Sequence, residues 1–192
     1  YKTTDSGVNY EHLSPELDNA YITALVQGEQ NPNIIYAGAG AAWTYASAGF
    51  SGGSMYKSND GGNNWNNISL KDSLGNVDQK FRSISRMVID PNDDDILTIA
   101  TWAGSSLAND NAAGFIYRTE DGGNTWNEIY QAGPQERITQ LVSSPKDSKI
   151  IYASVSQVGV LKSTDGGKSW YNPGNLGLTG SLSYDNPDGL YN

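Results

Sequence analysis

One eight-residue segment recurs along this chain of 192 residues: Ser58-Asn59-Asp60-Gly61-Gly62-Asn63-Asn64-Trp65, Thr119-Glu120-Asp121-Gly122-Gly123-Asn124-Thr125-Trp126 and Ser163-Thr164-Asp165-Gly166-Gly167-Lys168-Ser169-Trp170. A weaker copy, Thr3-Thr4-Asp5-Ser6-Gly7-Val8-Asn9-Tyr10, opens the sequence with Tyr in place of Trp. Self-similarity at such a spacing marks a repeat architecture, and it organises everything else in the chain.

The segments between these boxes repeat too. Ile22-Thr23-Ala24-Leu25-Val26, Ile84-Ser85-Arg86-Met87-Val88 and Ile138-Thr139-Gln140-Leu141-Val142 share one pattern, each followed by Pro32, Pro91 or Pro145. A second apolar run follows each proline (Ile34 to Ala37, Ile96 to Ala100, Ile150 to Ala153), a third enters the box (Met55 to Lys57, Phe115 to Arg118, Val160 to Lys162), and a fourth leaves it (Trp65 to Ile68, Trp126 to Ile129). Short β-branched and aromatic runs between Gly, Pro, Asn and Asp turns predict four strands per unit. The fold class expected is therefore all-β, a β-propeller of four-stranded antiparallel blades. The blades are expected over 22–70, 83–131 and 138–172, with 1–21 as the end of a preceding blade and 173–192 as a connection onward. A ring takes typically four to eight blades, so an incomplete arc of a longer polypeptide is expected, with open apolar positions around Ile22, Val26 and Ile138.

The pattern Ser/Thr-x-Asp-x-Gly-x-Thr/Ser-Trp resembles the Asp-box, or bacterial neuraminidase repeat. That repeat occurs in sialidases, sortilin-type receptors, xyloglucan-degrading glycoside hydrolases and photosystem assembly propellers. With the added Pro, Ile-Tyr-Ala and Lys-Ser-x-Asp-Gly-Gly-x-Trp, the chain is most similar to the sortilin and xyloglucanase branch. The resemblance implies a box at the hairpin between the third and fourth strands, and an extracellular or cell-surface location.

Asp5, Asp60, Asp121 and Asp165 are expected to accept hydrogen bonds from turn amides, and the Gly-Gly pairs ending in Gly62, Gly123 and Gly167 to supply positive φ. Trp65, Trp126 and Trp170 are expected to cover the hairpins. These are structural assignments, because each carboxylate sits in its own unit and the set cannot converge on a substrate or calcium ion.

Composition narrows the chemistry. Twelve Lys and Arg against 21 Asp and Glu give a net charge of −9, which opposes binding to nucleic acid, and no apolar run approaches the roughly 18 residues of a membrane span. There is no cysteine and one histidine, His12, so no zinc site of the usual kind, no metal and no cofactor is expected. The acidic turn Asp90-Pro91-Asn92-Asp93-Asp94-Asp95 lacks the ligand spacing of a calcium loop and reads as a solvated hairpin. Arg118 aligns with Lys57 and Lys162 at what reads as a repeated surface position. The chain shows no Arg-Ile-Pro segment and no arginine cluster of the sialidase kind.

Two connections are longer than their fold position requires: residues 41–53, and those from 103 to 114 after Trp102. They place Trp43, Tyr45, Phe50 and Trp102 near the upper face beside Asn109 and Asp110, where flat rings and polar side chains suit a sugar. These six are the candidate ligand residues, and loops folded over their own aromatics are the alternative. No catalytic residue is assigned; Glu29, Asp78, Asp110 and Glu136 are carboxylates expected near the upper rim, with no spacing that pairs any two. The function expected is a secreted or cell-surface propeller binding glycan or protein ligands through these loops. Part of a xyloglucanase-type glycoside hydrolase and a purely structural propeller are the alternatives. Expected partners are the remaining blades and the ligand, with no nucleic acid and no membrane insertion.

Overall fold

A computed structural model describes residues 1–13, 21–40, 54–81, 83–103 and 112–174. Strands β1 (Ile22–Gln27), β2 (Ile35–Ala39), β3 (Met55–Ser58) and β4 (Asn66–Asn67) form one sheet in chain order; β5 (Ile84–Asp90), β6 (Asp93–Trp102), β7 (Gly114–Thr119) and β8 (Asn127–Gln131) form the second. β9 (Ile138–Ser144), β10 (Asp147–Val155) and β11 (Gly159–Ser163) form a third, and the Lys162–Tyr171 bridge stands where its fourth strand would pair. All neighbours are antiparallel. The Lys2–Glu11 bridge, with a box turn between its partners, repeats the Lys57–Asn66 and Arg118–Asn127 pairs.

The sheets stack face to face, β1 against β5 and β5 against β9. Because successive strand residues point to opposite faces, β6 serves two cores. Leu97 and Ile99 pack with Tyr36, Met55, Met87 and Tyr117 against the first sheet, and Ala100 packs with Ile116, Leu141, Ala153 and Leu161 against the third. Each such large side chain contributes about 1.5–3 kcal/mol on burial. Close approach is set at Gly38, where a Cβ would lie 2.5 Å from Ile84 Cγ2.

Ile138 is buried, contrary to the expected opening around it, because β9 packs on the second sheet; Ile22 is exposed. The stretch between the first two sheets also holds structure outside the expected strands. A 3-10 turn at Gln79–Phe81 drops the Phe81 ring edge-on between Tyr117 and Trp126, at centroid distances of 4.9 and 5.3 Å.

Candidate functional site

In each box the first hydroxyl is the hub. Ser58 Oγ accepts from the Asp60 and Gly62 N–H groups (3.3 and 2.8 Å) and donates to Asp60 Oδ1 (2.9 Å). Thr3, Thr119 and Ser163 make the same three bonds. The carboxylate then closes the far side. Asp60 accepts from the Asn64 N–H and Nδ2, Asp121 from the Thr125 N–H and Oγ1, Asp165 from the Ser169 N–H and Oγ, and Asp5 from the Asn9 N–H and Nδ2, at 2.6 to 2.9 Å.

Donors on both oxygens favour the charged form, and all four carboxyls fall from the ordinary 3.8 to about 2. At Asp60 and Asp121 the side chain four residues on is the leading cause, followed by its N–H. At Asp5 the Asn9 N–H leads. At Asp165 desolvation pushes upward, and Ser169 overcomes it. Carboxylates held this way are poor general acids or bases near neutral pH.

The second box glycine has two constraints. Gly62, Gly123 and Gly167 have φ of 94, 92 and 87°, and each is also pressed by a residue that precedes its own sheet in the chain. A Cβ on Gly62 would lie 2.8 Å from Leu13 Cδ1, one on Gly167 2.8 Å from Thr98 Oγ1, and one on Gly123 would overlap Ile68. Trp126 Nε1 donates to the Ile68 carbonyl across the same junction (2.8 Å), whereas Trp65 Nε1 donates to Gly62 within its own turn (2.9 Å). Trp170 is half-buried.

Two assignments change at this end. Repeat alignment places Arg118 at the surface, but it is 5% exposed: its Nε donates to the Gly166 carbonyl of the next sheet, and its guanidinium pairs with Glu120. The acidic turn is more than a solvated hairpin, since Asp94 is 6% exposed and its two oxygens accept from the Gln30 and Asn31 N–H groups of the first sheet (3.1 and 2.7 Å). The role of the box hydroxyl could have been found from its recurrence at position one of every copy. That of Asp94 could not, because a turn aspartate facing solvent has the same sequence.

At the opposite end the β2–β3 and β6–β7 connections emerge beside the links between sheets. Ala39 bonds Ser54, Gly40 bonds Tyr21, Trp102 bonds Ser83 and Gly114 bonds Glu136, all through backbone. Trp102 is 8% exposed, with the Arg137 guanidinium 4.4 Å from its ring centroid, so it forms the floor of this end. Trp43, Tyr45, Phe50, Asn109 and Asp110 lie outside the described residues. Glu136 Oε2 accepts from the Gly133 N–H (2.6 Å) and Asp78 Oδ1 from the Lys80 N–H (2.8 Å), each closing its own turn. Glu29 is at the box end, beside Pro91 and Lys146, because the β1–β2 turn docks on Asp94. Among the described residues no group of three or more His, Asp or Glu is placed to hold a metal, and no helix is long and apolar enough to cross a membrane.

No protein-family model and no curated protein matches this sequence. Solved structures do. A GH74 enzyme from Niastella koreensis superposes with a TM-score of 0.54 at 24% identity, over 80% of this chain and 23% of that one. An ancestral GH74 enzyme gives 0.55 at 17% identity, over 80% and 19%. The fold is a β-propeller. The sheets are its blades, the box end is one rim, and the Trp102–Arg137 end is the other. The α-L-arabinanase of Penicillium chrysogenum complexed with arabinobiose also superposes on these blades, with a TM-score of 0.50 at 17% identity, over 81% of this chain and 49% of that one. The chain spans about a fifth of the length of these two GH74 structures, and at these identities fold is what is shared.

Proposed function

We propose that this chain is part of an Asp-box propeller of the sortilin and xyloglucanase branch, working outside the cell or at its surface. It binds a glycan or protein ligand through the connections of its upper end. The observation that carries this reading is the difference between the two rims. At the box rim all four box carboxylates have both oxygens filled by their own turns. At the other rim β2 and β3, and β6 and β7, end at the two long connections, whose sequences carry Trp43, Tyr45 and Phe50 in one and Asn109 and Asp110 in the other. An aromatic face suits the C–H face of a sugar, and amide or carboxylate groups suit its hydroxyls. Trp102, with Arg137 over its ring, stands at the end of β6 from which the second of these connections leaves. The test is a glycan array or polysaccharide pull-down, followed by Trp43→Ala and Tyr45→Ala. Loss of binding at an unchanged melting temperature is expected. Lowered melting temperatures with no ligand retained would make the connections blade caps and the role architectural.

A second reading, part of a xyloglucanase-type glycoside hydrolase, draws on the GH74 enzymes among the structural neighbours. It requires two carboxyl groups, about 5–5.5 or 6.5–9.5 Å apart. Asp78 and Glu136 each have a carboxylate oxygen engaged by an N–H of their own turn, and neither is assigned to the pair. Release of oligosaccharides from xyloglucan is the assay that separates it from the binding reading.

A further inference from the structure

The strand entering each box carries a base just before the Ser or Thr: Lys2, Lys57, Arg118 and Lys162. The first three reach onto the next blade. Lys2 Nζ donates to the Gly61 carbonyl (3.2 Å) and Arg118 Nε to the Gly166 carbonyl (2.9 Å). Lys57 Nζ pairs with Asp95 Oδ1 at 2.8 Å. It also stands 5.2 Å from the centroid of Tyr36, whose hydroxyl donates to the Asp94 carbonyl (2.8 Å). A Tyr and a Lys on one face of the first blade thus grip the first turn of the second.

The third blade presents the same pair on its outer face. Tyr152 stands opposite Lys162 as Tyr36 does opposite Lys57, and Val142 opposite Tyr152 as Val26 does opposite Tyr36. Lys162 Nζ lies 5.7 Å from the Tyr152 centroid. Tyr36 is wholly buried, whereas Val142 and Tyr152 are 51% and 36% exposed.

The repeat also specifies the charge of the occupant. Asn33, Asp95 and Lys149 are equivalent, since the carbonyl of each accepts from the first box glycine of its blade, Gly61, Gly122 or Gly166. Where this position is Lys149, the base of the previous blade finds its carboxylate in its own box, Arg118 with Glu120. Where the box residue is the neutral Asn59, the next blade brings the carboxylate of Asp95 to Lys57. Lys162 has the neutral Thr164 in its box.

We infer that Val142, Tyr152 and Lys162 form a docking surface for a further blade, one whose first turn brings an Asp carboxylate to Lys162 as Asp95 comes to Lys57. A second copy of this chain does not fit. Its first blade already holds the Lys2–Glu11 hairpin against Gly61, in the place an incoming Lys162–Tyr171 hairpin would need.

The probe is the full chain extended at its C-terminus by a second copy of residues 132–174 carrying Lys149→Asp, compared with the same extension retaining Lys149. Zero-length carbodiimide coupling with peptide mapping reads the junction, and the Lys57–Asp95 link is the internal reference. Coupling of Lys162 to the substituted position, at a yield comparable to the reference and lost on Tyr152→Ala, is the expected result. Absence of that link with the reference intact, coupling of Lys162 within the unextended chain, or cross-linked dimers through Lys162 would overturn the inference. A second measurement does not depend on the extension folding. In the unextended chain, Val142→Ser and Tyr152→Ser should leave the melting temperature unchanged while Val26→Ser and Tyr36→Ser lower it; an equal fall in all four would show the face already covered.

Discussion

Ile68 of the first blade occupies the space that a side chain on Gly123 of the second would need. Gly123 also has φ of 92°, so the residue is excluded from carrying a side chain both by its backbone and by its neighbour. Gly123→Ala is expected to lower stability by about 2–4 kcal/mol, combining the left-handed conformation with overpacking. Adding Ile68→Ala should recover the overpacking part and leave the conformational part, which a double-mutant cycle in urea measures.

The box hydroxyl carries more of the turn than its size implies. Thr119 is wholly buried and accepts from the Asp121 and Gly123 N–H groups, so Thr119→Val leaves both donors without that acceptor. The expected loss is about 1–3 kcal/mol, against less than half that for Thr119→Ser, read as a shift in urea midpoint at constant slope.

Acid sensitivity follows from the box carboxylates. Each titrates near 2 when folded and near 3.8 when free, so each contributes stability that is complete above about pH 4 and is lost as pH falls through 2. The urea midpoint is expected to be flat from pH 7 to 5 and to fall steeply below 4. Asp121→Asn should reduce that slope. A midpoint that held constant down to pH 2 would contradict the assignment.

Asp94 fastens the first blade to the second. Asp94→Ala removes the acceptor of the Gln30 and Asn31 N–H groups and is expected to cost about 1–3 kcal/mol or more, since the site is buried. Hydrogen exchange should report the loss locally, with faster exchange at Gln30 and Asn31 and little change in the third blade.

At the upper rim, Arg137→Ala uncovers the Trp102 ring. A loss of about 0.5–2 kcal/mol is expected, together with a rise in Trp fluorescence quenching by acrylamide. Any ligand affinity that depends on Trp43 should be altered less by this change than by Trp43→Ala.

What the chain determined by itself is whatever closes within a few residues. The box turn binds its own residues two and four apart, Ser58 with Asp60 and Gly62, Asp60 with Asn64. Its geometry is therefore written into eight consecutive residues, and the strand runs around it fix the blade by the same local periodicity. Tertiary structure decided whatever joins one blade to the next. Trp126 bonds Ile68 from 58 residues away, Arg118 bonds Gly166 from 48, and Asp94 receives Gln30 from 64. Over those separations the sequence shows a turn acid, a surface-looking base and a strand-end apolar residue, each compatible with solvent. Their burial depends on how closely one sheet lies on another, which is set by side-chain volume and by glycines such as Gly38 and Gly123, with no local pattern to announce it.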